Sequence, residues 1–439
     1  MVQRTQGHGQ IFTRTHSNLK ASSTNGANIR CGEMEFWVPY GETEIPVRIP
    51  DDNFYKILEP GKPAPSKDIA VTIKTSLEHP VDGVSLRQIV KPGSDAAIIG
   101  DPSTIPFLDI IIPNLKAELS SLGANSVTTF LRNKRPRPEQ SPSAESEIVM
   151  MDPTQGPFTE IGRTSSGTPV NIHNELLVRG IRVCVTSVAP HYATSFTGGP
   201  ESILPGATSI DTITKNRALI ASGTPAPADW RSGPVLADTF EACKLFGAAY
   251  NVCLVPDGWG GVDSVFSGEM EAAFDAATGR FTELHSPKVE RKCEIVIVSA
   301  GSLLGKDLYH AVRVLNNASD VVKQDGTIIL VAECANGVGN DTFLALTRKF
   351  EEKKQLLSEL KHRFQLGGQI SLLLKEALES NRIQLVSVLP DHYTRNGFGL
   401  KPSRTASGAV QTAIRVEGKD AKILIVTRGD LTLPKFAAS

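Results

Sequence analysis

The chain has 439 residues, too many for one ordinary hydrophobic core, so two domains of roughly 150–250 residues are expected. With 40% hydrophobic residues, 21% charged residues and a formal net charge of −1, the composition is that of a soluble globular protein. It supplies no bulk electrostatic field for nucleic acid or an anionic membrane, and no apolar run approaches the length of about 18 residues that a span needs.

The N-terminus lacks the apolar segment of a signal peptide, so a cytoplasmic location is expected. Residues 1–31, rich in Gln, Thr, Ser, Asn and Gly, read as a flexible tail. Glu33–Val38 and Glu44–Ile49 alternate apolar and polar residues around a loop with Gly41, the pattern of a β-hairpin. Asp95–Gly100 (DAAIIG) is a short apolar strand, followed by the loop DPSTIP. A helical stripe then runs through Leu108, Ile111, Leu115 and Leu119 to Gly123, with Pro113 near its start. Ser126–Leu131 is the next strand. The basic run Arg132–Arg137 (RNKRPR) and Arg135–Ser146 read as solvated loop.

Gly162–Val170 is turn-rich, and Asn171–Gly180 is expected to be a short helix leading into the strand Ile181–Val188. That strand delivers His191 to its carboxyl end, before the Gly198-Gly199 turn, a Pro-Gly turn and a helix start. Ligands of open α/β sheets sit at such strand ends, where loops and helix N-termini present N–H groups. Ala237–Ala248 is helical, and Asn251–Val255 and Ser264–Phe266 are strands about a Gly258–Gly261 turn. After the polar stretch Ser286–Lys292 the rhythm restarts. Strand Glu294–Ser299, helix Asp307–Val322, strand Thr327–Ala332 and one long amphipathic helix, Asp341–Phe364, follow in turn. Helix Gln369–Glu379 and strands Ile383–Val388 and Lys422–Val426 complete it. The expected class is therefore α/β, with largely parallel sheets flanked by helices in two domains, 32–288 and 289–439, and a cleft between them.

Cys31, Cys184, Cys243, Cys253, Cys293 and Cys334 include no C-x-x-C pair, and three lie in apolar runs, so they read as buried thiols rather than disulfides or zinc ligands. His191 is the candidate proton carrier, because imidazole titrates near neutrality; a structurally hydrogen-bonded histidine is the other reading. Gly198 and Gly199 could present N–H groups to an anion, although Pro200 removes one donor; a plain tight turn is the other reading. Tyr309 and Arg313 can share a helix face suited to an anionic ligand, with His310 beside them; a solvated helix face is the other reading.

Several of these loops together resemble the nickel-dependent lactate racemase family, the LarA-like proteins. The matching pieces are GRTSSGTPVNI from Gly162, VAPHYATSFTGGPESILPG with DTITKN from Val188 to Asn216, and NVCLV from Asn251. SVFSGE from Ser264, IVSAGSLLGKDLYHAVRVLNNAS from Ile297 and ILVAECANGVG from Ile329 complete an ordered set covering roughly Glu33 to Phe343. The resemblance implies a two-domain α/β protein with its site in the interdomain cleft. It also implies a nickel pincer nucleotide that takes a hydride from C2 of a 2-hydroxy acid and returns it, while a pair of histidines moves the hydroxyl proton.

Carried over residue by residue, His191 matches one acid/base histidine. Glu201 stands where the GG-x-K pattern has the tethering lysine, and Arg217 where an NH pair has the nickel-binding histidine. The D-x-TRP loop keeps Asp101 and Thr104 but has Ile105 in place of arginine, and Lys134 stands at the second acid/base histidine. The YQ-x-x-K pattern appears with Tyr309, His310 and Arg313. A carboxylate cannot supply the tethering amine, and a guanidinium has no free lone pair for nickel. The resemblance thus implies a racemase or epimerase scaffold for a small 2-hydroxy acid, with the cofactor's anchors replaced. Altered chemistry using His191 with Lys134 or Glu201, or a non-catalytic relative binding a nucleotide or organic acid, are the other expectations. A pairing of Arg217 with Glu201 would favour these.

Overall fold

The computed structural model describes residues 32–61, 68–132, 148–222, 233–247 and 250–437. The expected tail 1–31 with Cys31, Lys134 and the loop Arg135–Ser146 lie outside them. Two six-stranded sheets organise the described residues. The first has the order Val262–Glu269, Tyr250–Pro256, Ile181–Ser187, Asp95–Gly100, Ser126–Arg132, Ile148–Met151. All its pairs are parallel except the first, a hairpin about Gly258–Gly261. The second has the order Lys401–Ser403, Arg382–Val386, Val322–Val331, Cys293–Ser299, Ile423–Val426, Phe54–Leu58, parallel throughout. The α/β class with largely parallel sheets is the one the sequence predicts.

The apolar strands are continuous because both faces of each sheet are covered. Successive side chains point to opposite faces. Ile98, Val183 and Val185 join one core with Ile111, Leu115 and Leu119 of the helix Leu108–Ser121, whereas Ile99 and Cys184 join another with Ala242 and Phe246 of the helix Pro234–Phe246. In the second sheet Val296 and Val298 face the Leu308–Leu315 side, and Ile295 and Ile297 face Ala409 and Ala413 of the helix Ala406–Glu417. The described cysteines are all free and buried thiols. Burial pushes Cys184, Cys253 and Cys334 up to about 12, so they are inert as nucleophiles at neutral pH.

Three elements differ from expectation. The helix expected over Asp341–Phe364 is two, Asp341–Lys349 and Lys353–His362, with extended backbone at Phe350 (φ −112, ψ 116). After Phe350 the sequence EEKK offers no apolar side chain to continue the stripe. The break lets Leu346, Leu356 and Leu360 meet in one cluster. The segment Asn171–Gly180 begins as strand, Pro169–His173, because Val170 and Ile172 alternate inward, and only Asn174–Leu177 is helical. The helix expected over Asp307–Val322 ends early: Leu308–Ala311 and Arg313–Ala318 are helical, and Val322 already opens a strand.

The hairpin Glu33–Tyr40/Thr43–Pro50 forms as expected, but it packs Val38, Val47 and Ile49 into the core of the second sheet. The strand Phe54–Leu58 completes that sheet's edge against Ile423–Val426. Residues expected with the first domain are thus built into the second sheet.

The first sheet's strands, taken in chain order, lie in the spatial order 6-5-4-1-2-3, so the direction of winding reverses between Asp95–Gly100 and Ile181–Ser187. The carboxyl ends of those two strands form the crevice where such sheets bind ligands. The Asp101 loop and the His191 segment leave from them.

Candidate functional site

His191 is set by a short irregular hairpin, Pro190–His191 against Ser195–Phe196, at the end of the strand Ile181–Ser187. Ser195 turns it with φ 60, a left-handed backbone that non-glycine residues seldom adopt. The turn places buried Thr194 so that its Oγ1 lies 2.6 Å from His191 Nδ1. The same hydroxyl reaches the Phe196 carbonyl at 3.0 Å and Glu201 Oε1 at 3.2 Å. It carries one proton, and a carbonyl and a carboxylate compete for it. His191 Nδ1–H is therefore the donor to Thr194, which leaves the basic lone pair of the neutral imidazole on Nε2.

Glu201 lies on the 3-10 turn Gly199–Ser202. Its Oε1 accepts a hydrogen bond from Arg217 Nη2 at 3.0 Å and lies 3.8 Å from His191 Nδ1. Arg217 is itself braced: Nη1 donates to Asn216 Oδ1 at 2.8 Å, and Asn216 Nδ2 donates to buried Asp238 at 2.9 Å. The helix Ile210–Ala218, capped by Ser209, supplies both residues. Glu201 and Arg217 therefore pair, with side chains 13% and 7% exposed.

Gly198 and Gly199 have φ of 91 and 49. A Cβ on Gly198 would lie 2.9 Å from the Ser187 carbonyl oxygen, and one on Gly199 would lie 2.6 Å from the Phe274 ring. Backbone geometry and close packing thus account for this glycine pair.

Beside this group, Asp101 shapes its loop by accepting from Ser103 N at 2.9 Å and Ser103 Oγ at 2.6 Å. Thr104 donates through Oγ1 to the Asp101 carbonyl at 3.2 Å. Ile105 is buried in the apolar core rather than directed at a ligand. Arg132, the last residue of the strand Ser126–Arg132, lies 3.9 Å from Asp101 and feels the charges of Arg217, Glu201 and Arg313. Burial pulls its guanidinium below its ordinary value, opposed first by Asp101.

From the second sheet, Arg313 lies between two tyrosine rings, 5.2 Å from Tyr192 and 5.5 Å from Tyr309. Tyr192 in turn stacks at a tilt on His191, 4.6 Å between centroids. Tyr309 accepts a hydrogen bond from Gln369 Nε2 at 3.0 Å, and burial pushes its hydroxyl up to about 12. His310 is half-exposed and holds Nδ1 2.7 Å from buried Asp307.

The structure thus joins His191 and Glu201 directly, brings Asp101 and Thr104 alongside through Arg132, and links Tyr309 and Arg313 through Tyr192. His310 is anchored on Asp307, and Lys134 lies outside the described residues. Arg132, Tyr192 and Gln369 were not singled out from sequence. Arg132 had a signal: it ends a central strand next to the reversal point, yet it also opens a basic run that reads as solvated.

Two parallel-sheet α/β units, with polar side chains converging from the strand ends of both, define the class. Residues 40–132 and 140–226 match the lactate racemase N-terminal domain, and residues 289–431 match the lactate racemase C-terminal domain. The chain belongs to the lactate racemase family. Lactate racemase of Thermoanaerobacterium thermosaccharolyticum is 22% identical over 418 residues, and that of Lactiplantibacillus plantarum 24% over 415; each alignment spans 89% of this chain and 97% of the relative. The fold is similar to that of the lactate racemase apoprotein from T. thermosaccharolyticum, with a TM-score of 0.82 at 21% identity, over 92% of this chain and 100% of that one. A Thermotoga maritima protein is similar with a TM-score of 0.63 at 14% identity, over 87% and 100%. No helix among the described residues is long and apolar enough to cross a membrane.

Proposed function

We propose that the chain is a racemase-like protein that binds a small 2-hydroxy acid or related organic acid between the carboxyl edges of its two sheets. His191 exchanges a proton with the acid's hydroxyl through Nε2. The observation that carries this reading is the Thr194 contact on His191 Nδ1, which fixes the tautomer and aims one basic nitrogen. Thr194, Glu201 and Arg217 position the ring, and Arg313 with Tyr309 supplies cationic and hydrogen-bonding groups from the second sheet.

The donor set does not fit the family's nickel nucleotide held in the family's way. Arg217 stays protonated and is engaged with Glu201, and Glu201 offers no amine for a tether. Among the described residues no group of three or more His, Cys, Asp or Glu side chains is placed to hold a metal. The same pair favours a second reading, an acid-binding relative with altered chemistry or no turnover.

Single enantiomers of several 2-hydroxy acids, incubated with the purified protein and resolved by chiral chromatography, test for turnover. Racemisation that His191→Ala abolishes, in a protein with unchanged circular dichroism, is the outcome expected of an active enzyme. Racemisation at the wild-type rate in His191→Ala would remove the proton-transfer role. Deuterium from solvent at C2 would mark a proton route, and retained protium a hydride route. Stoichiometric nickel in the purified protein would overturn the view that the donor set excludes it.

A further inference from the structure

We infer that Arg132 and Arg313 are the two jaws of a clamp for a single carboxylate, one from each sheet; this rests on the organic-acid reading above and deepens it. Arg132 is a residue no motif of the sequence assigns. It ends a central parallel strand beside the reversal point, with its side chain only 18% exposed. A guanidinium buried there needs its fork filled, yet its ion pair with Asp101 is long, at 3.9 Å. Its Nε is buried with no hydrogen-bond partner among the described residues. Arg313 opens the helix Arg313–Ala318 of the second unit and is held by ring faces. Its guanidinium also hydrogen-bonds the Tyr309 hydroxyl, while its Nε is buried and unpartnered among the described residues. Leaving a buried donor unmade is costly, and more so on a charged group, so two such guanidiniums at one junction call for an acceptor.

Charge and shape select the acceptor. The described charges that act on Arg132 are Asp101, Glu201, Arg217 and Arg313; with Arg132 itself that makes three guanidiniums against two carboxylates. Glu201 is already taken by Arg217 at 3.0 Å. Buried guanidiniums call for an anionic acceptor. A carboxylate presents two coplanar oxygens, matching the planar fork of each arginine. The ring of Tyr192 lies against both His191 and Arg313, so an acid gripped by its carboxylate at Arg313 would carry its hydroxyl toward the imidazole. Arg132 and Arg313 act here as binding and positioning groups.

Calorimetric titration of the full chain with D-lactate, L-lactate, glycolate and inorganic phosphate, at one ionic strength, tests this. The wild type is expected to bind at least one of the carboxylates at one site and more tightly than phosphate. Arg132→Gln and Arg313→Gln should each weaken that binding by roughly tenfold or more, the loss expected of a charged hydrogen-bonded contact. Arg132→Lys keeps the charge and lacks the fork. It should bind more weakly than wild type with the melting temperature unchanged, which separates the contact from any folding defect of the Gln variants. Wild-type affinity in Arg132→Lys and in either Gln variant overturns the clamp and leaves the organic-acid reading intact. No carboxylate binding by the wild type overturns both. Tighter binding of phosphate than of every carboxylate overturns the choice of ligand class.

Discussion

Glu201 and Arg217 hold opposite charges in a place where each would be costly alone. Desolvation of two ions offsets much of their attraction, so the pair itself adds little net stability. Breaking it, however, leaves an uncompensated buried charge. Arg217→Met should therefore destabilise the protein by about 3 kcal/mol, and adding Glu201→Gln should recover at least half of that loss. Urea unfolding of the two single variants and the double variant measures the coupling. Additive losses would show that the two side chains do not depend on each other. His191 was legible in the sequence because it follows an apolar strand into a turn-rich stretch, and Glu201 and Arg217 because they stand at positions of the motifs that carry the family resemblance. Arg132 was not, because its surroundings are set by strand order, which no local pattern encodes. In the sequence it is the first letter of RNKRPR; in the fold it is the buried end of a strand.

Elements were legible where apolar periodicity is strong, as in Asp95–Gly100 and Leu108–Ser121, and lost where it is weak or interrupted. The helix Met270–His285 was not singled out, since alanines, two threonines and Gly279 dilute its stripe. It nevertheless carries the side chains that support the site's turn: Phe274 lies against Gly199 and Phe281 against Phe196. Gly199→Ala forces a methyl onto the Phe274 ring at a left-handed φ, and should cost about 1–3 kcal/mol as an overpacking defect. Thermal unfolding would register it, and an unchanged midpoint would mean that the turn re-forms without strain. The last residue of the same helix, His285, donates through Nε2 to the Pro256 carbonyl at 2.8 Å while its Nδ1 is buried without a partner among the described residues. Burial lowers the titration of His285 and also of His173, whose Nδ1 is likewise orphaned. The unfolded chain thus takes up protons near 6.5 that the folded chain refuses. Stability present above that pH is lost as pH falls below it, by at most about 1.4 kcal/mol per pH unit for each histidine. Urea midpoints at pH 7.5, 6.5 and 5.5 should fall in that order, and His285→Gln, which can keep the Pro256 contact, should flatten the slope. Midpoints that hold or rise on acidification would contradict the cause assigned to these histidines.

For the whole molecule, the sequence marks where the α/β rhythm restarts, near Ser286–Lys292, but not which strands it recruits. The second sheet is closed by chain far upstream: Thr427 donates to the Leu58 carbonyl across 369 positions. Composition cannot reveal such a pairing, and the strand Phe54–Leu58 was not singled out in the sequence. Its consequence is energetic. Val38, Val47, Ile49 and Leu58 are at most 2% exposed, all packed in the cores of the second sheet. At about 1.5–3 kcal/mol for each buried aliphatic side chain, removing the four forfeits on the order of 6–12 kcal/mol, comparable to the whole stability of a domain. Residues 289–439 expressed alone should therefore fail to unfold cooperatively and give poorly dispersed amide spectra. Joining residues 32–61 to that fragment through a flexible linker should restore a cooperative transition. Residues 32–61 also reach the first sheet's hairpin turn, since Trp259 Nε1 donates to the Gly61 carbonyl at 2.9 Å, beside a separate contact in which Arg428 Nη1 donates to the Gly258 carbonyl at 3.0 Å. Deleting 1–61 from the full chain should accordingly loosen the junction on which His191 and Arg313 meet, and lower organic-acid affinity together with stability. A fragment 289–439 that folds cooperatively by itself would instead make the upstream segment an accessory, and would confine its contribution to the junction between the sheets.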